Sequence, residues 1–243
     1  MKDNSISHHE MTPEVRQKIN QWITQSAIGV VVFAFLLLLS AGRFDWFWGW
    51  VFIAVIALFM AAHPLILIPI NPELLAEREK GLSDPEVKSW DRKLTLVGVG
   101  IFLIGSLFVA GLDERFDWTV SYSILLHIFG LVLTILGFGL FLWAMASNAF
   151  FAEGVRIQAE RGHTVATGEP YQFVRHPGYA GAILGMLAIP FLLGSLWAVI
   201  PAAISACLYV LRTYLEDRTL LEELPGYQVY AQQTRYRLFP GVW

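Results

Sequence analysis

The chain has 243 residues, of which 56% are hydrophobic and 15% charged, and its formal net charge is −3. Soluble domains average about a quarter charged residues, so this composition excludes an ordinary soluble domain and indicates an integral membrane protein. The charge gives no support for nucleic-acid binding, and a single cysteine excludes an internal disulfide and a cysteine-rich metal site.

The N-terminal 22 residues are polar and lack the apolar core of a cleaved signal peptide, so we expect the first span to direct insertion. A helix needs about 20 residues to cross a bilayer core of about 30 Å. Six apolar runs reach or approach that length. The fifth is short and meets the sixth directly at "SL" (residues 195–196), which predicts a tight helical hairpin and leaves five or six complete spans. The predicted spans are 23–40, 46–70, 94–112, 122–147, 179–194 and 196–215.

Lysines and arginines occur in alternate connections. The N-terminal tail, the second and fourth connections and the C-terminal tail are basic, whereas the first and third connections and the hairpin turn are nearly neutral. Basic segments stay on the cytoplasmic side of a membrane. We therefore predict an all-α polytopic protein of the cell (inner) membrane with both termini cytoplasmic. The oligomeric state stays open.

The ionisable residues concentrate in three segments, 71–93, 148–178 and 216–243, all on the predicted cytoplasmic side. This pattern divides the chain into an N-terminal tail with four spans, residues 1–147, and a region that would carry the chemistry, residues 148–243. The 71–93 segment is typical of a solvated connector that ends at a capped helix start. A substrate gate is the alternative.

Two ionisable residues lie at the cytoplasmic end of the last predicted span. Arg212 and Glu216 are four residues apart, so they share one helix face and can pair. An exposed ion pair, or an arginine reaching toward the interface, would explain them equally well. His127 lies deep in a span, where we expect it to hydrogen-bond a neighbouring helix.

The stretch "VRHPGYAGAILG" opens the fifth run. Pro177 disfavours helix at His176, so we expect a helix to begin near Gly178 with free N–H groups that suit an anion. Gly181 and Gly185 form a G-x-x-x-G pair that allows close approach of another helix.

Several chemistries find no support in the sequence. It has no G-x-G-x-x-G after a strand, no Walker A motif, no G-x-S-x-G and no H-E-x-x-H. The histidines also lack the spacing of metal ligands, so no metal site is predicted.

The C-terminal part of the chain contains a recognisable set of motifs. The runs "QAERGHTVATGEPYQFVRHPGYAG", "RTYLED" and "LPGYQVYAQQTRYRLFPGVW" resemble the isoprenylcysteine carboxyl methyltransferase family and the related integral-membrane phospholipid methyltransferases. The resemblance covers residues 148–243. It implies S-adenosylmethionine-dependent methyl transfer in a non-Rossmann membrane fold, with a cofactor loop, a helical hairpin and a C-terminal cytoplasmic helix around a cytoplasmic cofactor pocket.

The resemblance also implies site residues. Arg212 would face the methyl acceptor, and Arg212 and Glu216 would be the catalytic pair. Two positions depart from the family pattern: Asp217 is the second acidic residue of the pair, and "LPG" replaces "FG", which leaves Tyr227 open as a contact. The implied cofactor contacts are Gln158, His163, Thr164, Val165, Ala166, Tyr171, His176, Pro177, Gly178, Tyr179 and Glu216.

These roles agree with the chemistry of the groups. Tyrosine faces attract a sulfonium cation, and an arginine fork suits an acceptor carboxylate. The resulting hypothesis is methyl transfer to a lipophilic small-molecule or lipid acceptor, for instance the carboxylate of a prenylated cysteine. The alternatives are a membrane reductase of the sterol reductase type that uses NADPH, and a non-enzymatic transporter or scaffold. The role of Arg175 stays open.

Overall fold

The structure is a computed structural model that describes residues 11–120 and 122–243. All regular structure in these ranges is helical, which confirms the predicted fold class. Short 3₁₀ turns lie at Gly81–Ser83 and Ala159–Arg161. The α-helices are α1 (Pro13–Ala41), α2 (Phe47–Ile70), α3 (Pro72–Arg78), α4 (Ser89–Phe116, with a π-helical segment at Ile101–Leu107), α5 (Ile124–Ala146), α6 (Pro177–Leu193), α7 (Val199–Glu223) and α8 (Tyr227–Gln233).

Five of these helices, α1, α2, α4, α5 and α7, are long and apolar enough to cross a membrane. Helix α6 has only 17 residues, which corresponds to about 25 Å. It begins at Pro177 and ends at Gly194, whose φ of 83° is left-handed. The protein is therefore a polytopic membrane protein with five long spans and one short apolar helix, as the range of five to six predicted.

The outward faces of the spans are apolar. Large side chains such as Val31, Leu58, Leu65 and Ile104 are between 67% and 75% exposed. A soluble protein would not leave so many of them in water, whereas a lipid environment solvates them.

Three helices extend past the apolar runs. Helix α1 begins ten residues earlier than predicted, because Thr12 caps it through a 3.3 Å bond from Val15 N and Pro13 occupies the first turn. Helix α4 begins at Ser89 and helix α7 continues to Glu223. The extensions of α4 and α7 carry polar residues of the site beyond the apolar region.

The connections separate into two ends of the bundle. The polar end contains residues 71–88, 147–176 and 224–243, joined by bonds such as Lys88 N to Val155 O at 3.0 Å and Arg175 N to Tyr236 O at 2.9 Å. The short-loop end contains the turns 42–46, 117–120 and 194–198. The prediction that the polar segments share one side is confirmed.

Helices α5 and α6 pack through glycines. A Cβ atom on Gly137 would lie 2.7 Å from Gly181 O, and one on Gly181 would lie 2.5 Å from Gly137 O. The G-x-x-x-G pair therefore packs closely, as predicted, and its partner is α5 rather than the hairpin neighbour α7. His127 also bonds across this interface, where Nδ1–H donates to Leu192 O at 2.8 Å, which confirms its predicted role.

Candidate active site

One cavity of about 760 Å³ connects the spans with the polar end. This volume is within the usual range for small-molecule sites. The cavity has an apolar part between the spans and a polar part under the loops. The apolar part is lined by Phe33, Phe59, Met60, His63, Leu96, Val99 and Phe141, and the polar part by residues of the segment 148–179 and of α7 and α8.

The loop between α5 and α6 is fixed by hydrogen bonds around Tyr171. The Tyr171 hydroxyl donates to Ala144 O at 3.2 Å and accepts from Asn148 Nδ2 at 3.3 Å, and Tyr230 donates to Tyr171 O at 2.6 Å. Burial raises the pKa of Tyr171, so its hydroxyl stays protonated. This ring therefore ties the loop between α5 and α6 to both α5 and α8.

His163 is the second anchor of the loop. Its ring stacks on Phe150 at 4.5 Å between centroids, and its Nδ1 accepts from Gln158 N at 3.2 Å. Burial, together with the charges of Arg156 and Arg161, lowers the pKa of His163 to about 4. The imidazole is therefore neutral at physiological pH and presents an aromatic surface to the cavity.

Most of the implied site residues line this cavity, but Gln158 and Pro177 do not. Gln158 is fully buried inside the loop, where Nε2 donates to Phe150 O at 2.9 Å and the side-chain oxygen accepts from Arg161. Pro177 occupies the first turn of α6. The residues that do line the cavity are His163, Thr164, Val165, Ala166, Tyr171, His176, Gly178, Tyr179, Arg212 and Glu216.

The N-terminus of α6 faces the polar part of the cavity. The helix begins at Pro177, one residue before the predicted start, and His176 precedes it without a side-chain cap. The first-turn N–H groups of Gly178 and Tyr179 are therefore available to an anion. Gly178 is required for packing as well, because a Cβ atom there would lie 2.6 Å from Phe151 Cζ.

Glu216 is an acidic group of α7 that lines the polar part of the cavity. Its carboxylate accepts a hydrogen bond from the Tyr179 hydroxyl, and its Oε1 lies 4.0 Å from His176 Nδ1. The side chain is 22% exposed, so part of the carboxylate is open to a ligand.

Arg212 does not pair with Glu216 in the structure, although their spacing allowed it. Its Nε and Nη2 both donate to Asp91, at 2.6 Å and 3.1 Å, and Nη2 also donates to Glu153 O at 2.5 Å. The guanidinium carbon lies 5.1 Å from the centroid of the Tyr179 ring. The i, i+4 pairing is therefore wrong: two N–H donors of the guanidinium bind the two acceptor oxygens of one carboxylate, and Asp91 of α4 provides that geometry.

Asp217 holds the polar end together. It is 1% exposed and accepts from Tyr227 Oη at 2.9 Å and Arg237 Nε at 2.8 Å, with Arg175 Nη1 at 3.1 Å and His176 Nε2 at 3.2 Å. The network joins α7, the α6 start, α8 and the C-terminal tail. Within this network Arg175 connects the turn before α6 to α7, and it also lines the cavity.

Two buried carboxylates of the site, Asp91 and Asp217, were not among the residues expected from the sequence. Asp217 carried a signal, since it directly follows Glu216. Asp91 lies in the first turn of α4, where an acidic residue is common, and its partner Arg212 is 121 residues away. Local sequence gave no indication of that pair.

Fold and cavity together define an integral membrane protein with an enclosed polar site at one end of its helices. Residues 125–225 match the family model described as phospholipid methyltransferase, which belongs to the isoprenylcysteine carboxyl methyltransferase-like group of integral-membrane methyltransferases. The match covers less than half of the chain and runs from α5 to just past α7. It confirms the predicted resemblance and indicates a membrane methyltransferase with lipid-related substrates. No curated protein matches the chain.

Proposed function

We propose that this protein transfers a methyl group from S-adenosylmethionine to a lipophilic acceptor. The observation that carries the proposal is the cavity of about 760 Å³, in which a polar aromatic part opens directly into an apolar part between the spans. The cofactor would occupy the polar part and the acceptor the apolar part.

The residues of the polar part fit the cofactor by their chemistry. The partly open carboxylate of Glu216 suits an ammonium group or ribose hydroxyls. The N–H groups of Gly178 and Tyr179 suit a carboxylate. The neutral His163 ring and the segment 164–166 offer a surface for an aromatic base. When bound, S-adenosylmethionine supplies an electrophilic methyl carbon on a sulfonium sulfur.

The protein's own contribution would be positioning and exclusion of water. Tyr179 is held by Glu216 on one side and by the Arg212 guanidinium on its ring face, so its aromatic face has a fixed orientation. Arg212 is in turn fixed by Asp91. Such preorganisation supplies a large part of the rate in reactions that need only alignment.

We also propose the orientation. The polar end and the adjacent ends of α4 and α7 together carry 12 of the 17 lysines and arginines, so we place this end, with the C-terminus, on the cytoplasmic side of a cell membrane. The cofactor would then enter from the cytoplasm.

Isothermal titration of the purified chain with S-adenosylmethionine and with NADPH tests the proposal. We expect binding of the first and none of the second. The reverse result would support a reductase instead, and binding of neither would contradict both enzymes. Transfer of a radiolabelled methyl group into a membrane extract would then identify the acceptor.

A further inference from the structure

The cations that line the cavity differ in how far their hydrogen-bond donors are already used. Four arginines line it: Arg78, Arg156, Arg175 and Arg212. Arg156 lies within 4.0 Å of four carboxylates, those of Glu77, Asp84, Glu86 and Glu160. Arg212 is bidentate on the buried Asp91, and Arg175 pairs with the buried Asp217. Each of these three arginines is paired with a well-buried carboxylate, although Arg175 shares Asp217 with Arg237.

Arg78, the last residue of α3, is different. Its Nη1 donates to Phe151 O at 3.2 Å and Nη2 to Glu153 Oε1 at 3.3 Å, both at the long end of the range for such bonds. Its Nε is buried and has no hydrogen-bond partner within the described residues. The side chain is 8% exposed, whereas that of its acidic partner Glu153 is 37% exposed. A buried guanidinium N–H without a hydrogen-bond partner lowers the stability of the folded protein, unless a ligand accepts a hydrogen bond from it.

Arg175 Nε also lacks a partner, but its surroundings are different. Arg175 lies in the turn beside His176, where its Nη1 contacts the nearly inaccessible Asp217. The acidic partner of Arg78 is Glu153, which is more than one-third exposed. A ligand can therefore displace the Glu153 carboxylate from Arg78.

The position of Arg78 suits the polar head of an amphiphile. It lines both the central cavity and a second, more open cavity of about 940 Å³ that is shared with Trp22, Gln25 and Glu153. The central cavity continues from there into the apolar part between the spans. An anion at Arg78 would leave its apolar tail among those side chains. Burial and the charge of Arg212 lower the pKa of Arg78, which is a further sign that its charge is incompletely compensated.

We propose that Arg78 binds the anionic headgroup of the acceptor, a carboxylate or phosphate on an apolar chain, and that Glu153 occupies this donor set until the acceptor displaces it. The inference rests on the proposed function and names the substrate class of the same cavity. Arg78 adds a specificity-determining residue outside the part of the chain that the family model matches.

The test uses the full chain purified in a non-ionic detergent and three probes with one tail: N-lauroylglycine, dodecyl phosphate and the neutral N-lauroylglycinamide. We expect the wild type to bind the two anionic probes about tenfold more tightly than the amide. Arg78→Gln should remove that preference. Glu153→Gln should increase it about threefold, because the competing carboxylate is gone. Arg218→Gln, on the exposed face of α7, is the matched control and should leave it unchanged.

Each result decides the proposal. A preference that survives in Arg78→Gln overturns it. If Arg78→Gln does not fold, the variants Arg78→Lys and Glu153→Gln replace it in the test. A preference for the anionic probes that is unchanged in both variants also overturns the proposal. The anionic probe that the wild type binds more tightly identifies the headgroup as a carboxylate or a phosphate.

S-adenosylmethionine binding in the same samples separates the two proposals. Wild type that binds S-adenosylmethionine but shows no preference for anions contradicts this inference alone. Wild type that prefers anions but does not bind S-adenosylmethionine contradicts the proposed function and leaves the anion site in place.

Discussion

Each end of the bundle contains a buried carboxylate, but the two are satisfied differently. At the short-loop end, Asp113 accepts from neutral donors: Thr119 N and Oγ1, both at 2.7 Å, and Ser195 Oγ at 2.5 Å. At the polar end, Asp217 accepts from two arginines, a histidine and Tyr227. Neutral donors are enough to connect two turns. The charged network joins the longer connections of the polar end, and two of its members, Arg175 and His176, line the cavity of about 760 Å³.

The largest expected effect comes from removing the charged hub. Asp217→Ala leaves Arg175 and Arg237 beside an empty carboxylate position, and breaking a buried pair costs about 3–5 kcal/mol. Asp113→Ala removes only neutral bonds, which corresponds to about 1–3 kcal/mol. Denaturant or thermal unfolding in detergent measures both variants. Equal losses would contradict the contrast between the two ends.

Glu216→Gln separates binding from folding at the polar end. Loss of a charge-assisted contact should weaken S-adenosylmethionine binding about 10–100-fold, with little change in unfolding temperature because the side chain is partly exposed. Isothermal titration measures the affinity, and Glu222→Gln on the exposed face of α7 is the control.

Arg212→Ala should instead reduce acceptor turnover while cofactor affinity stays within about threefold. Normal turnover and binding in both variants would show that the site is elsewhere.

Gly181→Ala tests whether close helix packing supports the polar end. The added Cβ would lie 2.5 Å from Gly137 O, a backbone atom that cannot move aside, so we expect a loss of about 1–3 kcal/mol in stability. Gly139→Ala is the matched control on α5, because a Cβ there has nothing within 4 Å. Unfolding temperatures of the two variants give the comparison. A stable Gly181→Ala protein would mean that α5 and α6 can separate without cost.

The last expected effect is a dependence of stability on pH that comes from His163 and is absent at neutral pH. Its pKa is lowered to about 4 in the folded protein, below the value of 6.5 for an unperturbed imidazole. Above pH 6.5 the His163 imidazole is neutral in both the folded and the unfolded protein, so it gives the stability no dependence on pH. Between pH 6.5 and 4 only the unfolded chain gains the proton, so stability falls as the pH falls. His163→Asn should flatten this slope in thermal unfolding, and identical slopes for both proteins would contradict the assignment.

Several features followed from the sequence because their causes are local. Apolar runs of about 20 residues can only be helices in a bilayer, so the spans and the short sixth helix were predictable. Pro177 set the start of α6 to within one residue. His127 is polar and lies within an apolar run, so its bond to another helix was predictable, although not its partner Leu192.

Other features needed tertiary proximity. The spacing of Arg212 and Glu216 allowed a pair, yet Arg212 binds Asp91 because α4 brings a buried carboxylate beside it whose two oxygens both accept from the guanidinium. Gly181 and Gly185 indicated a close contact without indicating that α5 would provide it.

The sequence by itself determined an all-helical membrane protein whose polar segments share one end, and its motifs indicated the resemblance to membrane methyltransferases. Hydropathy, charge distribution and proline are properties of short segments, and they act wherever the segment lies. The tertiary structure alone decided which charges neutralise one another and which remain available. Ion pairing depends on distances between residues that are far apart in the chain. Those distances bring several donors to Asp217, fix Arg212 on Asp91 and leave Arg78 Nε without a hydrogen-bond partner in the part of the chain that the structure describes.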